Sequence, residues 1–381
     1  MTASIARPSV ASGVLGFVRR SVATPTDALL TVVVGVIVAL AAVPLARWTL
    51  LDARWTGSAE DCRAASGACW AFVGHKVAFV LFGLYPPAER WRAAAALVVL
   101  VALIVASLVP WCWRRWLVGA WVIGLAAAFW LMHGGAGLER VPTRLWGGLP
   151  ITVMLTAVGL SLGFPLAVLL ALGRRSTLAI PRALATVFVE TVRGVPLIAV
   201  LYVAALVVPL ALPSGIEVDK LFLAQGAVAV FASAYLAEAV RAGLQVIPKG
   251  QYDAARALGL SAWRMNRLVI LPQALRVVVP SFVSIAVGFF QDTSLVVIIG
   301  LFDLLNTARV AAQDPAWLGF HTEAYVFVGA IYFVGSTLMS VYGTWVERSL
   351  HVGRQSRRAR VAETLRHETV APRPVERRWR G

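Results

Sequence analysis

The sequence predicts an all-α polytopic membrane protein with about eight transmembrane helices. Three observations carry that prediction. Of its 381 residues, 59% are hydrophobic and only 14% charged, outside the range of an ordinary soluble domain. Apolar runs approach or exceed the roughly eighteen residues that cross a bilayer. The arginines behind a net charge of +16 fall in short connections and a tail between those runs. There they set membrane orientation, and they argue against a nucleic-acid partner.

Residues 1–27 are polar and basic, with Arg7, Arg19 and Arg20, and no small-residue cleavage site follows, so they read as a retained cytoplasmic segment. The first span covers 27–46. Residues 47–90 then carry balanced charge, and the apolar stretch 71–87 within them is short and holds His75-Lys76, which makes it interfacial or re-entrant. Cys62 and Cys69 lie here: a disulfide if this segment faces the periplasm and two free thiols stand as equal readings. Spans at 93–113 and 117–132 complete an N-terminal membrane extension, residues 28–144. Five more follow at 149–172, 183–212, 221–240, 277–301 and 324–346.

Orientation follows from the loops. With the N-terminus inside, the cytoplasmic connections hold Arg114-Arg115, Arg174-Arg175 with Arg182, the loop at 241–276 and the tail 349–381. From Glu347 onward ten arginines face four acids, a composition drawn to anionic membrane lipid and disordered at its end. The opposite side receives Glu217, Asp219 and Lys220, and Asp303, Asp314 and Glu323 against Arg309. Both termini are therefore expected in the cytoplasm.

Ionisable groups at membrane depth need a partner or a job. Glu190 and Arg193, three apart on one helical face, can pair with each other, and Gly194 and Pro196 loosen the backbone beyond them. They read equally as a helix end in headgroup water and as the lining of a pathway. Asp292, followed by Thr293 and Ser294, interrupts an apolar run and must face protein or water. A ligand for an ammonium group and a hydrogen bond to a neighbouring helix are its two readings. Glu238 reads as a snorkelling or helix-end residue. In the polar insert 251–272, Asp253 opens a helical register that places Ala254, Ala255 and Leu258 on one face. Gly259 then supplies a left-handed stop, Ser261 caps a second short helix to about Ile270, and Pro272 ends it.

Asp253-Ala254-Ala255, Gly259 and Val269-Ile270-Leu271-Pro272 resemble the EAA loop of ABC importer membrane subunits, with Asp253 for Glu and Val269 for Ile. Arg193-Gly194-Val195-Pro196-Leu197 and Gln291-Asp292-Thr293-Ser294-Leu295 are similar to the R-G-T-P-L and K-D-T-S-L segments of polar amino-acid importers, with Val195 for Thr and Gln291 for Lys. Residues 145–348 thus resemble the five-helix type I core of the histidine-permease type. The three-span N-terminal portion, with Ala68-Cys69-Trp70, resembles the long general L-amino-acid permease subunits.

The resemblance implies a permease subunit of a bacterial inner-membrane importer of polar or broad-range L-amino acids. It implies no catalytic residue, metal or cofactor of the chain's own, with ATP and Mg2+ held by two copies of a partner ATPase. That ATPase would dock on the loop through Asp253, Ala254, Ala255, Gly259, Leu271 and Pro272. Glu190, Arg193, Gly194, Pro196, Asp292, Thr293 and Ser294 would line the substrate pathway. A second, non-identical permease subunit and a periplasmic amino-acid-binding protein complete the expected assembly. The chain itself has no G-x-x-x-x-G-K-[ST] motif. The alternative is a secondary transporter or channel for small polar solutes working without ATP, which calls for internal repeats that the sequence does not display. A membrane enzyme finds little support in five histidines (His75, His133, His321, His351, His367), none paired at metal spacing.

Overall fold

Helices follow the apolar runs, because a backbone withdrawn from water must satisfy its own N–H and C=O groups. The computed structural model describes residues 21, 23–109, 112, 114, 116–213 and 215–370, with side chains as far as 348. The expectations for Arg7, Arg19, Arg20 and Arg115, and for the end of the tail from 371, lie outside the described residues. Helix α1 is Pro25–Ala46, opened by Thr24, whose hydroxyl accepts from the Asp27 N–H at 3.1 Å, with Pro25 in the first turn. It runs on in π register over Arg47–Leu51. Helix α2 (Ala59–Arg63) is held by a capping box between Ser58 and Asp61. Helix α3 (Trp70–Phe82) has 13 residues, about 20 Å, too short for a hydrocarbon core of about 30 Å.

Helices α4 (Arg90–Leu108), α5 (Trp116–His133) and α6 (Gly148–Arg174) come next, then α7 (Ala179–Gly194), α8 (Leu197–Tyr202) and α9 (Val208–Ala211). Helix α10 is Lys220–Val246, α11 Lys249–Ala257, α12 Ala262–Met265 and α13 Leu271–Asp292. A two-residue strand, β1 (Phe302–Asp303), pairs in parallel with Gly147 and Gly148 at the start of α6. Helices α14 (Leu304–Ala311) and α15 (His321–Val370) close the chain. Among the described residues, seven helices are long and apolar enough to cross a membrane, and α7 with α8–α9 forms an eighth, bent pair.

The chain divides into two compact units, residues 1–76 with 314–323 and residues 77–313 with 324–381. In the first, Cys62 and Cys69 are joined in a disulfide, with Cα atoms 5.5 Å apart. The Cys69 N–H donates to the buried Glu323 carboxylate at 3.0 Å. Lys76 meets Asp314 at 2.6 Å and holds that carboxyl below its usual range. In the second unit α10 is the central helix, and its contact with α6 is the most extensive in the fold. Gly163 makes that approach close: a Cβ there would fall 2.7 Å from the Ala229 carbonyl oxygen. Asp303 caps α14 by accepting from the N–H groups of Leu305 and Asn306, both at 3.0 Å, and from the Tyr332 hydroxyl at 3.4 Å. Burial pushes its carboxyl up to about 6.

Two expectations are corrected here. The predicted fifth span, 183–212, is not one helix but a pair bent by 103° between Gly194 and Leu197. Pro196 has no N–H to offer and forces Val195 out of the helical region, to φ −110°, ψ 137°. Pro272 does not end the second short helix of the polar loop. A π-turn over Asn266–Ile270 relieves the proline, and Ala262–Ile299 runs as one 38-residue apolar span. Helix α15 itself continues past the last span into the tail, as far as Val370.

Candidate functional site

The break after α7 opens a cavity of about 480 Å³. Gly194, Val195 and Pro196 present irregular backbone to it, Phe231 and Tyr235 reach it from α10, and Ile285, Phe289 and Asp292 from α13. Arg193, the last charged residue of α7, lines it as well. Its guanidinium lies over the Tyr235 ring, 5.4 Å from the centroid, an arrangement that orients the cation without neutralising it. Asp292 is the last residue of α13, where the helix tightens into a 3-10 segment over Thr293–Ile299. Among the described residues the Asp292 carboxylate has no hydrogen-bond or ion-pair partner. One cavity thus holds a guanidinium, a half-buried carboxylate and a wall of aromatic and aliphatic side chains.

Other sequence-predicted pathway residues lie elsewhere. Thr293 is buried, and its hydroxyl donates to the Phe290 carbonyl at 2.8 Å. Ser294 donates to the Gln291 carbonyl at 2.9 Å. Neither lines the cavity, because both hydroxyls fold back on the preceding turn. Glu190 is exposed, and the pairing with Arg193 that the spacing allows is not made. Arg174 at the end of α6 reaches across to Glu190 at 2.6 Å, and Arg193 turns instead toward Glu238 at 3.9 Å. Sequence reasoning took Glu238 for a snorkelling or helix-end residue. It is the hub of the cluster, with Arg174 at 3.0 Å and two contacts to Arg241. The signal was present in the run Tyr235–Glu238–Arg241, whose i,i+3 spacing stacks one polar edge along α10.

Beneath this cluster lies the polar loop. Helix α11 ends in a Schellman motif: Gly259 at φ +70° donates to the Arg256 carbonyl at 2.9 Å, and Leu260 to that of Ala255 at 3.2 Å. Ala255 is buried against Leu244, Ile270 and Ala274, whereas Ala254 and Leu258 point outward. The single face expected for Ala254, Ala255 and Leu258 is therefore two faces. Tyr252 and Ala255, three apart, fix the inner one, and Ala254 and Leu258, four apart, form the outer. Tyr252 donates to the Leu244 carbonyl at 3.2 Å and receives Arg175 both over its ring, at 5.6 Å, and at its hydroxyl, at 3.0 Å. Leu258, Trp263 and Leu268 are all strongly exposed around the turn. Asp253 pairs with Arg256 at 3.4 Å, and Leu271 and Pro272 lie in the first turn of α13.

The sequence family described as "Binding-protein-dependent transport system inner membrane component" matches residues 163–352. The chain is 46% identical over 319 residues to the inner membrane amino-acid ABC transporter permease protein YhdY of Escherichia coli, covering 82% of this chain and 86% of that one. It is 34% identical over 373 residues to the glutamate/glutamine/aspartate/asparagine transport system permease protein BztC of Rhodobacter capsulatus, covering 80% and 86%. A solved structure, an amino acid ABC transporter with histidines, is 28% identical with a TM-score of 0.47, over 53% of this chain and 92% of that one. The chain belongs to the family of inner-membrane permease components of binding-protein-dependent ABC transport systems.

Proposed function

We propose that this chain is the permease subunit of an amino-acid importer and that the cavity at the α7–α8 break holds the cargo in transit. The observation that carries the reading is that Arg193 and Asp292 line one cavity. A zwitterionic amino acid offers a carboxylate to a guanidinium and an ammonium to a carboxylate, and each group alone would be costly at membrane depth. The remaining wall, Phe231, Phe289 and Leu295, is apolar and leaves room for varied side chains. Relatives named for amino-acid transport favour the same class of cargo.

In this reading residues 145–348 are the translocating core, and residues 28–144 extend it. ATP and Mg2+ stay in two copies of a separate ATPase, which meets α11 and the turn at Gly259 on the outward face of Ala254, Leu258 and Trp263. A non-identical second permease walls the other side of the pathway, and a periplasmic binding protein delivers the cargo. The Cys62–Cys69 disulfide favours an oxidising compartment for the segment after α1, which leaves both termini in the cytoplasm.

The test is reconstitution of the chain with its ATPase and second permease in liposomes, with binding protein loaded in turn with each amino acid. ATP-dependent uptake that collapses in Arg193→Gln and in Asp292→Asn is the expected result. Uptake driven by an ion gradient alone, with no ATPase present, would overturn the reading in favour of a secondary transporter.

A further inference from the structure

Three arginines from three helices converge on the carboxylate of Glu238, and they are not held equally. Arg174 of α6 lies at 3.0 Å, Arg241 of α10 makes two contacts, one at 3.0 Å, and Arg193 of α7 lies at 3.9 Å, the outer limit of an ion pair. Glu238 keeps its compensation from Arg174 and Arg241 when Arg193 leaves. Arg193 is the arginine that also lines the cavity, and its other neighbour, the Tyr235 ring, attracts the cation from the side without filling its N–H donors. A guanidinium in that position has a near neighbour on each side, the Glu238 carboxylate outside the cavity and any anion within it.

We infer that Glu238 is a positioning residue that competes with the cargo carboxylate for Arg193. In the empty site it parks the guanidinium at the cavity edge. When a carboxylate enters, Arg193 passes across to it, and Arg174 with Arg241 keep Glu238 neutralised. Affinity for cargo is thereby lowered in the resting state, so that cargo is released rather than trapped. This inference rests on the reading that Arg193 binds the cargo carboxylate.

The experiment is equilibrium binding of tritiated L-amino acids, each tested singly, to the purified complex of both permeases and the ATPase. Neither ATP nor binding protein is present. Glu238→Gln should tighten binding about three- to fivefold, the scale of one partly exposed ion pair. Glu238→Asp, which withdraws the carboxylate by one methylene while keeping its charge and fold, should tighten it by less. In the background of Arg193→Gln the Glu238 substitution should change nothing. A merely structural Glu238 would weaken binding on substitution where Arg193 is intact. If Arg193→Gln abolishes binding but neither Glu238 variant tightens it, the competition is refuted and the cargo site stands. If Arg193→Gln binds as the unaltered complex does, or the unaltered complex binds no amino acid, the cargo site itself falls and the competition with it.

Discussion

Replacing Gly259 by valine tests the coupling role of the polar loop more sharply than any other single change. At φ +70° the residue sits in the left-handed region, where a side chain with a Cβ costs about 1–2 kcal/mol and a β-branched one lies at the upper end. No heavy atom lies within 4 Å of where that Cβ would be, so the penalty is conformational and not a clash. It falls on a motif that ties down two carbonyls, those of Ala255 and Arg256, in the turn between α11 and α12. A shift of that size lowers the ratio of native to non-native turn by about five- to thirtyfold. The buried side of the loop, Tyr252 and Ala255, keeps its own contacts, so insertion and assembly should survive. The assay is binding-protein-stimulated ATPase and uptake in liposomes: both should fall by about an order of magnitude in Gly259→Val. Gly259→Asn, which tolerates the left-handed region, should retain most of the coupling. Uptake and stimulated ATPase at the level of the unaltered chain in Gly259→Val would refute the assigned role of the turn.

Other expectations can be checked alongside. Arg193→Gln and Asp292→Asn should each reduce uptake by about tenfold or more, the scale of one lost charge-assisted hydrogen bond, with membrane abundance unchanged on immunoblots. Asp303 has its carboxyl raised from 3.8 to about 6, so its contribution to stability is full below pH 3.8 and is lost as pH rises through 6. Denaturation at pH 5 and 7.5 should therefore show Asp303→Asn removing part of the loss of stability on raising pH, at most about 1.4 kcal/mol; an unaltered difference would speak against the burial effect. Replacing Cys62 and Cys69 together by serine should destabilise the first unit by about 2–3 kcal/mol, visible as faster proteolysis between residues 52 and 69. Equal digestion with and without the disulfide would count against that estimate.

Much of the helical layout was legible from apolar length and arginine placement, since both are properties of contiguous residues. The short stretch 71–87 was separable from the true spans on length and charge, and α3 is short for the same reason. What sequence could not supply was anything that depends on a neighbour from another helix. The i,i+3 relation of Glu190 and Arg193 is real, yet Arg174 arrives from the end of α6 and takes Glu190. The prominence of Glu238 arises only where α6, α7 and α10 meet. The two prolines illustrate the converse. Pro196 and Pro272 carry the same local signal, but only the first breaks its helix by a sharp angle, because a π-turn absorbs the second. In the site, Asp292 was visible as a charge in an apolar run, whereas the inward turn of the Thr293 and Ser294 hydroxyls was not.

That absorbed proline has a mechanical consequence. From Ala262 to Asp292 the chain is one uninterrupted helical shaft, about 46 Å long at the usual rise per residue. Its lower end abuts the exposed turn at Gly259, and its upper end carries the carboxylate that shares a cavity with Arg193. Rocking such a shaft by about 5° about its midpoint moves each end by about 2 Å, enough to make or break a hydrogen bond. Leverage of this kind needs no relay of side chains between the turn and the cavity. Pro280, in the interior of α13, then sets how stiffly the stroke is delivered.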